Sequence, residues 1–170
     1  DEFKNNPDKV IADARTLGAK YVGTAWYPHA ESGFTEADAR HAIADFNAIG
    51  QRMKDAGLTF FYHLHGYEPV PTGNGQTLLD LIIQQTDPKL VAFEMDVLWT
   101  YLPGTDPVAL IKKYPERFRL MHIKDMKPGV PRGSLAGGIP AEQQAPIGQG
   151  QVDWGALMGA AAKDGMQYYY

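Results

Sequence analysis

Residues 90–96 read Leu-Val-Ala-Phe-Glu-Met-Asp, a short apolar run that ends in a carboxylate. Its length and its apolar residues predict a buried strand. Because side chains alternate between the two faces of a strand, Glu94 and Asp96 share one face. Asp96 stands at the carboxyl end of this strand, and Trp99 follows three residues later. The stretch therefore indicates a strand that is apolar along its length and presents polar groups at its end.

The rest of the chain repeats this kind of run, with helical segments in between. The predicted strands are residues 21–27, 58–65, 90–96, 118–123 and 166–170. The predicted helices are residues 7–17, 36–56, 77–85, 107–114 and 154–162. No hairpin signal separates consecutive runs, so the alternation predicts parallel strands joined by right-handed crossovers.

Two α/β architectures fit this alternation, an open doubly wound sheet and a (β/α)8 barrel. An open sheet gathers its chemistry at one switch point, whereas a barrel gathers it from the ends of many strands. Here four consecutive strand ends carry functional side chains, namely Trp26, Tyr27, His63, His65, Asp96, Trp99, His122, Lys124 and Asp125. The pattern favours a barrel, with residues 1–170 as a single domain. A whole barrel needs about 250 residues, so we expect a partial barrel of about five of the eight units.

Composition excludes several functional classes. Lys and Arg number 16 and Asp and Glu number 20, a net charge of −4, whereas nucleic-acid binders carry a basic excess. No apolar run approaches the roughly 18 residues of a membrane helix. The chain has no Cys, which excludes disulfides, thiolate zinc sites and Cys nucleophiles. No dinucleotide or P-loop fingerprint is present, and Gly73-Asn74-Gly75 is interpreted as a turn.

The segment 126–151 and the two ends of the chain differ from the rest. The segment is rich in Gly and Pro without periodicity, which is typical of a lid, a binding loop or a disordered segment. The chain begins with Asp1 and ends on the strand-like run 167–170, so we expect a segment of a longer protein. We expect a cytoplasmic location, or a periplasmic one if a signal peptide precedes residue 1. A partial barrel exposes two sheet edges, which predicts homo-oligomers.

Three strand ends could together bind a metal. His63 and His65 share a face of one strand, and they could be metal ligands, substrate contacts or hydrogen-bonded core histidines. His63, Asp96 and His122, from three successive strand ends, would form a site of nitrogen and oxygen donors. Such a site suits Mn²⁺, Mg²⁺, Co²⁺ or Zn²⁺.

The neighbouring polar residues have weaker assignments. Glu94 lies deeper than Asp96, which favours a structural ion pair inside the barrel. Lys124 shares a face with His122, while Asp125 could orient a ligand or reach a substrate; the alternative for both is an exposed ion pair. His29 could approach the site from its loop, and we expect His41 on a helix surface.

In four places the chain resembles the sugar phosphate isomerase/epimerase family, the xylose isomerase-like TIM barrels. The motifs that carry the resemblance are Tyr62–Glu68 (YHLHGYE), Phe93–Trp99 (FEMDVLW), His122–Asp125 (HIKD) and Ile147–Trp154 (IGQGQVDW). They occur in the family's order and span essentially the whole chain. The resemblance implies strands four to eight of the barrel.

The family usually binds one divalent metal through Glu, Asp, His and Glu from strands five to eight. The resemblance matches Asp96 and His122 to the second and third ligands. His63 stands where most relatives have Glu, and it can ligate the same metals but cannot act as a carboxylate base. The fourth ligand would lie just beyond Tyr170, and Trp99 replaces a His of other branches.

The resemblance implies proton transfer through an enediolate of a sugar, sugar phosphate or keto-polyol, catalysed by an isomerase or epimerase. The catalytic candidates are His63, His65 and Lys124. The candidate contacts to a small carbohydrate substrate are Trp26, His65, Glu68, Trp99, Lys124 and Asp125. The tryptophans could stack on a sugar or simply pack in the barrel, and Lys127 and Arg132 could hold an anionic group or be solvated.

Two alternatives remain open. The same metal site could serve a lyase, dehydratase or deglycosidase of a keto-sugar. Alternatively, the chain is a barrel segment that keeps part of a metal site and has no turnover.

Overall fold

A computed structural model describes residues 2–170 of the chain. The helices are α1 (Glu2–Asn5), α2 (Pro7–Thr16), α3 (Glu36–Asp55), α4 (Leu78–Gln85), α5 (Val97–Tyr101), α6 (Pro107–Lys113) and α7 (Trp154–Asp164). The strands are β1 (Tyr21–Thr24), β2 (Thr59–His63), β3 (Val91–Asp96), β4 (Phe118–His122), β5 (Asp125–Met126), β6 (Gln144–Ala145) and β7 (Tyr168–Tyr169). Ala141–Gln143 form a 3₁₀ turn.

The main sheet contains five parallel strands in the order β1-β2-β3-β4-β7. Successive strands are joined by helical crossovers, as the alternation of the sequence predicts. The five predicted strands and five predicted helices are all present, which confirms a partial (β/α)8 barrel. Helices α1 and α5 and the small antiparallel pair β5–β6 were not predicted.

Capping boxes define where two of the predicted helices begin. The Thr35 hydroxyl accepts a hydrogen bond from the Asp38 N–H, and the Asp38 carboxylate accepts one from the Thr35 N–H. Thr77 and Asp80 make the same pair at the start of α4. Each box satisfies N–H groups that have no partner within the helix, so the chain enters these helices at fixed residues. None of the helices described between residues 2 and 170 has both the length and the apolar character needed to cross a membrane.

The two faces of the sheet have different roles. Tyr62 and Phe60 are buried against Phe46 of α3, in the core between the sheet and the helices. Because side chains alternate, His63 points to the opposite, concave face. The register pairs His63 with Glu94 and Asp96 with His122, so all four side chains share the concave face.

The sheet curves strongly enough for its edge strands to meet across the concave face. The Tyr21 hydroxyl of β1 donates a hydrogen bond to Oε1 of Gln167 (2.9 Å), next to β7. The rings of Tyr21 and Tyr168 meet edge to face at 5.8 Å. Three strands separate β1 from β7 in the sheet, so these contacts indicate the curvature of a barrel sector.

Candidate metal centre at the strand ends

Three side chains converge where β2, β3 and β4 end. His63, Asp96 and His122 are the last residues of these strands, and one ligand atom of each lies within 4.8 Å of the others. Oδ2 of Asp96 lies 3.6 Å from Nε2 of His63 and 3.2 Å from Nδ1 of His122. The structure therefore brings together the three predicted ligands, hereafter the triad, although their binding of a metal stays a prediction.

The two oxygens of Asp96 have different surroundings. Oδ1 accepts a hydrogen bond from the Trp99 N–H (3.0 Å) and caps α5. Oδ2 is buried and receives no hydrogen bond of acceptable geometry from any residue between 2 and 170. A buried carboxylate oxygen is costly unless another group neutralises it, and here the Lys124 ammonium lies 3.1 Å from Oδ2. Two imidazole nitrogens beside this oxygen form a donor set that fits a divalent cation.

Glu94 orients the first histidine of the triad. Its Oε1 lies 2.7 Å from Nδ1 of His63, and both residues are buried. Because Nδ1 is bonded to this carboxylate, the other ring nitrogen of His63, Nε2, faces Asp96. Carboxylates hold metal-binding histidines in this way. Glu94 thus has the structural role that its depth in the strand predicts.

Lys124 pairs with the triad and not with its neighbour Asp125. Its Nζ lies 3.1 Å from Oδ2 of Asp96 and 5.5 Å from the centre of the Trp99 ring. Burial lowers the pKa of His122; Asp96 opposes this shift and Lys124 adds to it. A lowered pKa favours the neutral imidazole, the form that binds metal ions.

An aromatic wall flanks the triad. His65 stacks on Trp99 with ring centres 5.4 Å apart and an interplanar angle of 16°, and Trp26 meets His65 edge to face at 5.3 Å. Burial, aided by the charge of His63, lowers the pKa of His65. Nδ1 of His65 is buried, and the described part of the chain offers it no hydrogen-bond partner. Trp26 is half exposed, so this wall faces solvent on one side.

The two remaining predicted substrate contacts are carboxylates held inside the protein. Oε1 of Glu68 accepts hydrogen bonds from the Tyr62 hydroxyl and the His65 N–H, both at 2.8 Å, and Oε2 accepts one from the Gly66 N–H. Glu68 is fully buried, and this burial raises its pKa. Glu68 therefore fixes the turn that carries His65, while its contact with a substrate stays a prediction.

Asp125 is similarly enclosed. Burial on its own would raise the pKa of Asp125, but hydrogen bonds from the Trp154 indole and from backbone N–H groups outweigh burial and lower it. Its oxygens are therefore occupied within the protein. A contact of Asp125 with substrate stays a prediction as well.

The sequence also pointed to four further charged or titratable residues, and the structure places them differently. His29 stacks on Trp26 at 4.7 Å and so joins the aromatic wall, whereas His41 is exposed on α3. Arg132 lies over the Tyr101 ring at 3.8 Å and donates to the carbonyls of Tyr101 and Thr105. The side chain of Lys127 is exposed.

Sequence reasoning missed two residues that shape the wall. The buried Tyr67 hydroxyl lies 2.7 Å from that of Tyr62 and accepts a hydrogen bond from the Tyr27 N–H. Its ring packs on Trp26 at 4.7 Å. Gly137, from the long segment 126–151, lies against His65. Tyr67 belongs to the motif Tyr62–Glu68 and could have been selected there, whereas no sequence signal places Gly137 near His65.

Comparison with known proteins identifies relatives of this chain. Residues 2–169 match a family model described as xylose isomerase-like TIM barrel. The inosose dehydratase of Clostridium tetani is 29% identical over 97 residues, which are 57% of this chain and 32% of that protein. The inosose dehydratase of Lacticaseibacillus casei is 26% identical over 124 residues, 65% of this chain and 40% of that protein. The matched regions thus span a third to two fifths of these relatives.

Solved structures agree with the fold. A sugar phosphate isomerase/epimerase from Parabacteroides distasonis is 26% identical with a TM-score of 0.75, over 99% of this chain and 55% of that one. An IolI protein with a bound zinc atom has a TM-score of 0.74 at 18% identity, over 99% of this chain and 57% of that one. The second likeness shows the fold alone.

Proposed function

The chain belongs to the xylose isomerase-like TIM-barrel family, and on that premise we propose that it carries the metal-binding strand ends of an enzyme that moves a proton beside the carbonyl of a polyhydroxy ketone. The observation that carries the proposal is the convergence of the triad with His65 and Lys124 at one end of the sheet. Sugars, sugar phosphates and keto-polyols all contain the required carbonyl and adjacent hydroxyl groups.

The triad would hold a single divalent cation, Mn²⁺, Mg²⁺, Co²⁺ or Zn²⁺. When bound, such an ion supplies Lewis-acid chemistry, polarising a carbonyl and stabilising negative charge on its oxygen. The buried Oδ2 of Asp96 and the Glu94–His63 bond support this assignment. Since one ring nitrogen of His63 is bonded to Glu94 and the other faces Asp96, we assign His63 as a ligand and not as the base.

His65 is the residue best placed to accept the proton. Its lowered pKa keeps the imidazole neutral near pH 7, and a neutral imidazole can remove a proton from carbon and later return it. Lys124 contributes a positive charge and three N–H donors beside Asp96. Trp99 and Trp26 would pack against the apolar face of a sugar, because aromatic walls with a few polar groups are typical of small-molecule sites.

Removal of this proton can have two outcomes. Either a proton returns to carbon, or a neighbouring hydroxyl group leaves as water. In isomerisation or epimerisation, the C–H bond next to the carbonyl breaks, His65 takes the proton, and the proton returns to the neighbouring carbon or to the same carbon. The Parabacteroides relative, described as a sugar phosphate isomerase/epimerase, supports this outcome.

Dehydration is the second candidate, favoured by the inosose dehydratases among the relatives. Here His65 takes the proton next to the carbonyl, and the hydroxyl on the following carbon leaves as water. Lys124 would supply the proton that this leaving hydroxyl needs. An inosose, a cyclic polyhydroxy ketone, would be the substrate.

The two outcomes can be separated by mass spectrometry in D₂O. The Mn²⁺-loaded protein is incubated with an inosose and, separately, with fructose. Isomerisation adds deuterium to recovered sugar, whereas dehydration removes the mass of one water. We expect His65→Gln to abolish turnover and to leave Mn²⁺ binding intact. If Mn²⁺ binds at the triad and neither product forms, the chain is a metal-binding barrel segment without turnover and the proposal is wrong.

A further inference from the structure

The segment between β4 and α7 lies against His65 and the Trp99 cluster and is fastened to the rest of the protein. We propose that residues 127–151 form a fixed roof over the candidate site, that Asp125 is the positioning residue holding its base, and that Gly137 sets the room above His65. This inference rests on the proposed function only in treating His65 as a site residue.

Asp125 ties together the start and the end of the roof. Its carboxylate accepts hydrogen bonds from Met126 N (2.8 Å), Gly148 N (3.3 Å), Gly150 N (3.2 Å), Gln151 N (3.1 Å), Val152 N (3.3 Å) and Trp154 Nε1 (2.8 Å). These donors lie immediately after Asp125 and again more than twenty residues later. One buried carboxylate therefore closes a long loop at its base.

The backbone of Gly150 approaches the Asp125 carboxylate too closely for a side chain to fit at this position. A Cβ at Gly150 would lie 2.1 Å from Oδ1 of Asp125, so Gly is required at this position. The Gln151 side chain adds a second closure, because its Nε2 donates to the carbonyls of Lys127 (2.8 Å) and Val130 (2.9 Å). The bonds from Asp125 and Gln151 together set the position of the roof relative to β4.

The roof then packs on the back of the aromatic wall. Met126 is buried in a small apolar cluster with Leu98, Trp99 and Leu102, and Val130 and Ile139 pack against this cluster. The Gly133 N–H donates to the Leu102 carbonyl at 2.7 Å. Since Trp99 also stacks on His65, the roof supports the wall through Trp99.

Gly137 brings the roof into direct contact with His65. A Cβ at this position would lie 3.0 Å from Nδ1 and from the carbonyl oxygen of His65, and 3.7 Å from the Tyr67 ring. The φ angle of Gly137 is +63°, in the left-handed region that favours glycine. A side chain at this position would press on His65, so the glycine determines how much space remains there.

The first test compares Asp125→Asn with Asp80→Asn, which alters a buried carboxylate of α4 bonded to Lys113 of α6. We expect Asp125→Asn to speed amide hydrogen exchange in the roof and in residues 98–102 by about tenfold or more. The ring-proton NMR signals of His65 should shift, and Mn²⁺ affinity should stay within about twofold because the triad stands on the strands. Asp80→Asn should leave amide exchange in residues 133–139 and the His65 ring signals unchanged. Unchanged exchange in residues 133–139, or the same His65 shift in both variants, would overturn the role of Asp125.

The second test compares Gly137→Ala with Gly138→Ala. The described residues place no atom within 4 Å of a Cβ at Gly138, and so the neighbouring glycine is a control that lacks the contact. We expect Gly137→Ala alone to shift the His65 ring signals, with hydrogen exchange in the main sheet unchanged. Equal shifts in the two variants, or no shift in either, would contradict the contact. Neither test requires turnover, so each can fail independently of the proposed function.

Discussion

Nζ of Lys124 lies 3.1 Å from Oδ2 of Asp96, the oxygen that also lies nearest to both histidines of the triad. The ammonium group therefore neutralises the buried carboxylate at the point where a divalent cation would bind. Two positive charges around one oxygen repel each other, so Lys124 and a metal ion compete for Asp96.

Replacing Lys124 tests this competition. We expect Lys124→Met to strengthen Mn²⁺ binding by about three- to tenfold, because the methionine retains length and removes the competing charge; the partial exposure of Lys124 keeps the effect modest. Isothermal titration calorimetry measures the change. Lys127→Met, on an exposed residue of the roof, serves as the control and should leave the affinity unchanged. Weaker binding by Lys124→Met would mean that the lysine assists the metal.

Glu94 should influence metal affinity through His63. Glu94→Gln replaces the carboxylate that holds Nδ1 of His63 with a neutral amide, which weakens both the orientation and the basicity of the imidazole. Mutations of such carboxylates reduce metal affinity by about 10- to 100-fold. The same titration checks this, with the exposed Glu142→Gln as the control. Equal affinity in Glu94→Gln and the unmodified chain would remove Glu94 from the site.

Two helical glycines should respond oppositely to the same substitution. A Cβ at Gly50 of α3 would lie 2.5 Å from the Leu90 carbonyl oxygen, so Gly50→Ala should lower the free energy of unfolding by about 1–3 kcal/mol. Gly159 of α7 has no described atom within 4 Å of a Cβ, and Gly159→Ala should raise this free energy by about 0.5–1 kcal/mol. Urea unfolding measures both, and a stabilising Gly50→Ala would show that α3 does not pack closely on the start of β3.

Asp80 should make stability depend on pH. Burial alone would raise its pKa, but hydrogen bonds from Lys113 (2.7 Å) and Tyr114 (2.6 Å) outweigh burial and lower it below 3.8. A carboxyl whose folded-state pKa is depressed contributes stability above its unfolded pKa and loses that contribution as pH falls through the folded pKa.

We therefore expect Asp80→Asn to lower the free energy of unfolding by about 1–3 kcal/mol at pH 7. This difference between the two chains should shrink as pH falls below about 3.8. Because Lys113 is half exposed, the lower part of this range is expected. Urea unfolding of both chains across acid pH provides the measurement. A difference that grows toward low pH would contradict a stabilising contribution from the ionised Asp80 carboxylate.

The barrel sector and the triad follow from patterns visible in the sequence. Asp96 and His122 end apolar runs of strand length, and the carboxyl ends of adjacent parallel strands meet at one edge of a sheet. The side-chain alternation also predicted that Glu94 and Asp96 share one face, and the register agrees. These features depend on local periodicity, which a single sequence contains.

The roles of Asp125 and Glu68 could not be obtained in this way. Both stand near strand ends among candidate site residues. Yet the carboxylate of each accepts hydrogen bonds from backbone N–H groups of nearby turns and is enclosed by them. The donors to Asp125 come largely from residues 148–154, and their approach depends on the path of a segment without periodicity. The contact between Gly137 and His65 has the same origin.

Calorimetric titration of Mn²⁺ into the chain, His122→Ala and His41→Ala tests the central claim most directly. His41 is exposed on α3 and does not belong to the triad, and so its replacement controls for the loss of one imidazole. The account predicts one Mn²⁺ per chain for the unmodified protein and for His41→Ala, and a loss of at least about 100-fold in affinity for His122→Ala. Absence of binding to the unmodified chain, or equal binding by the two variants, would contradict a metal centre at His63, Asp96 and His122.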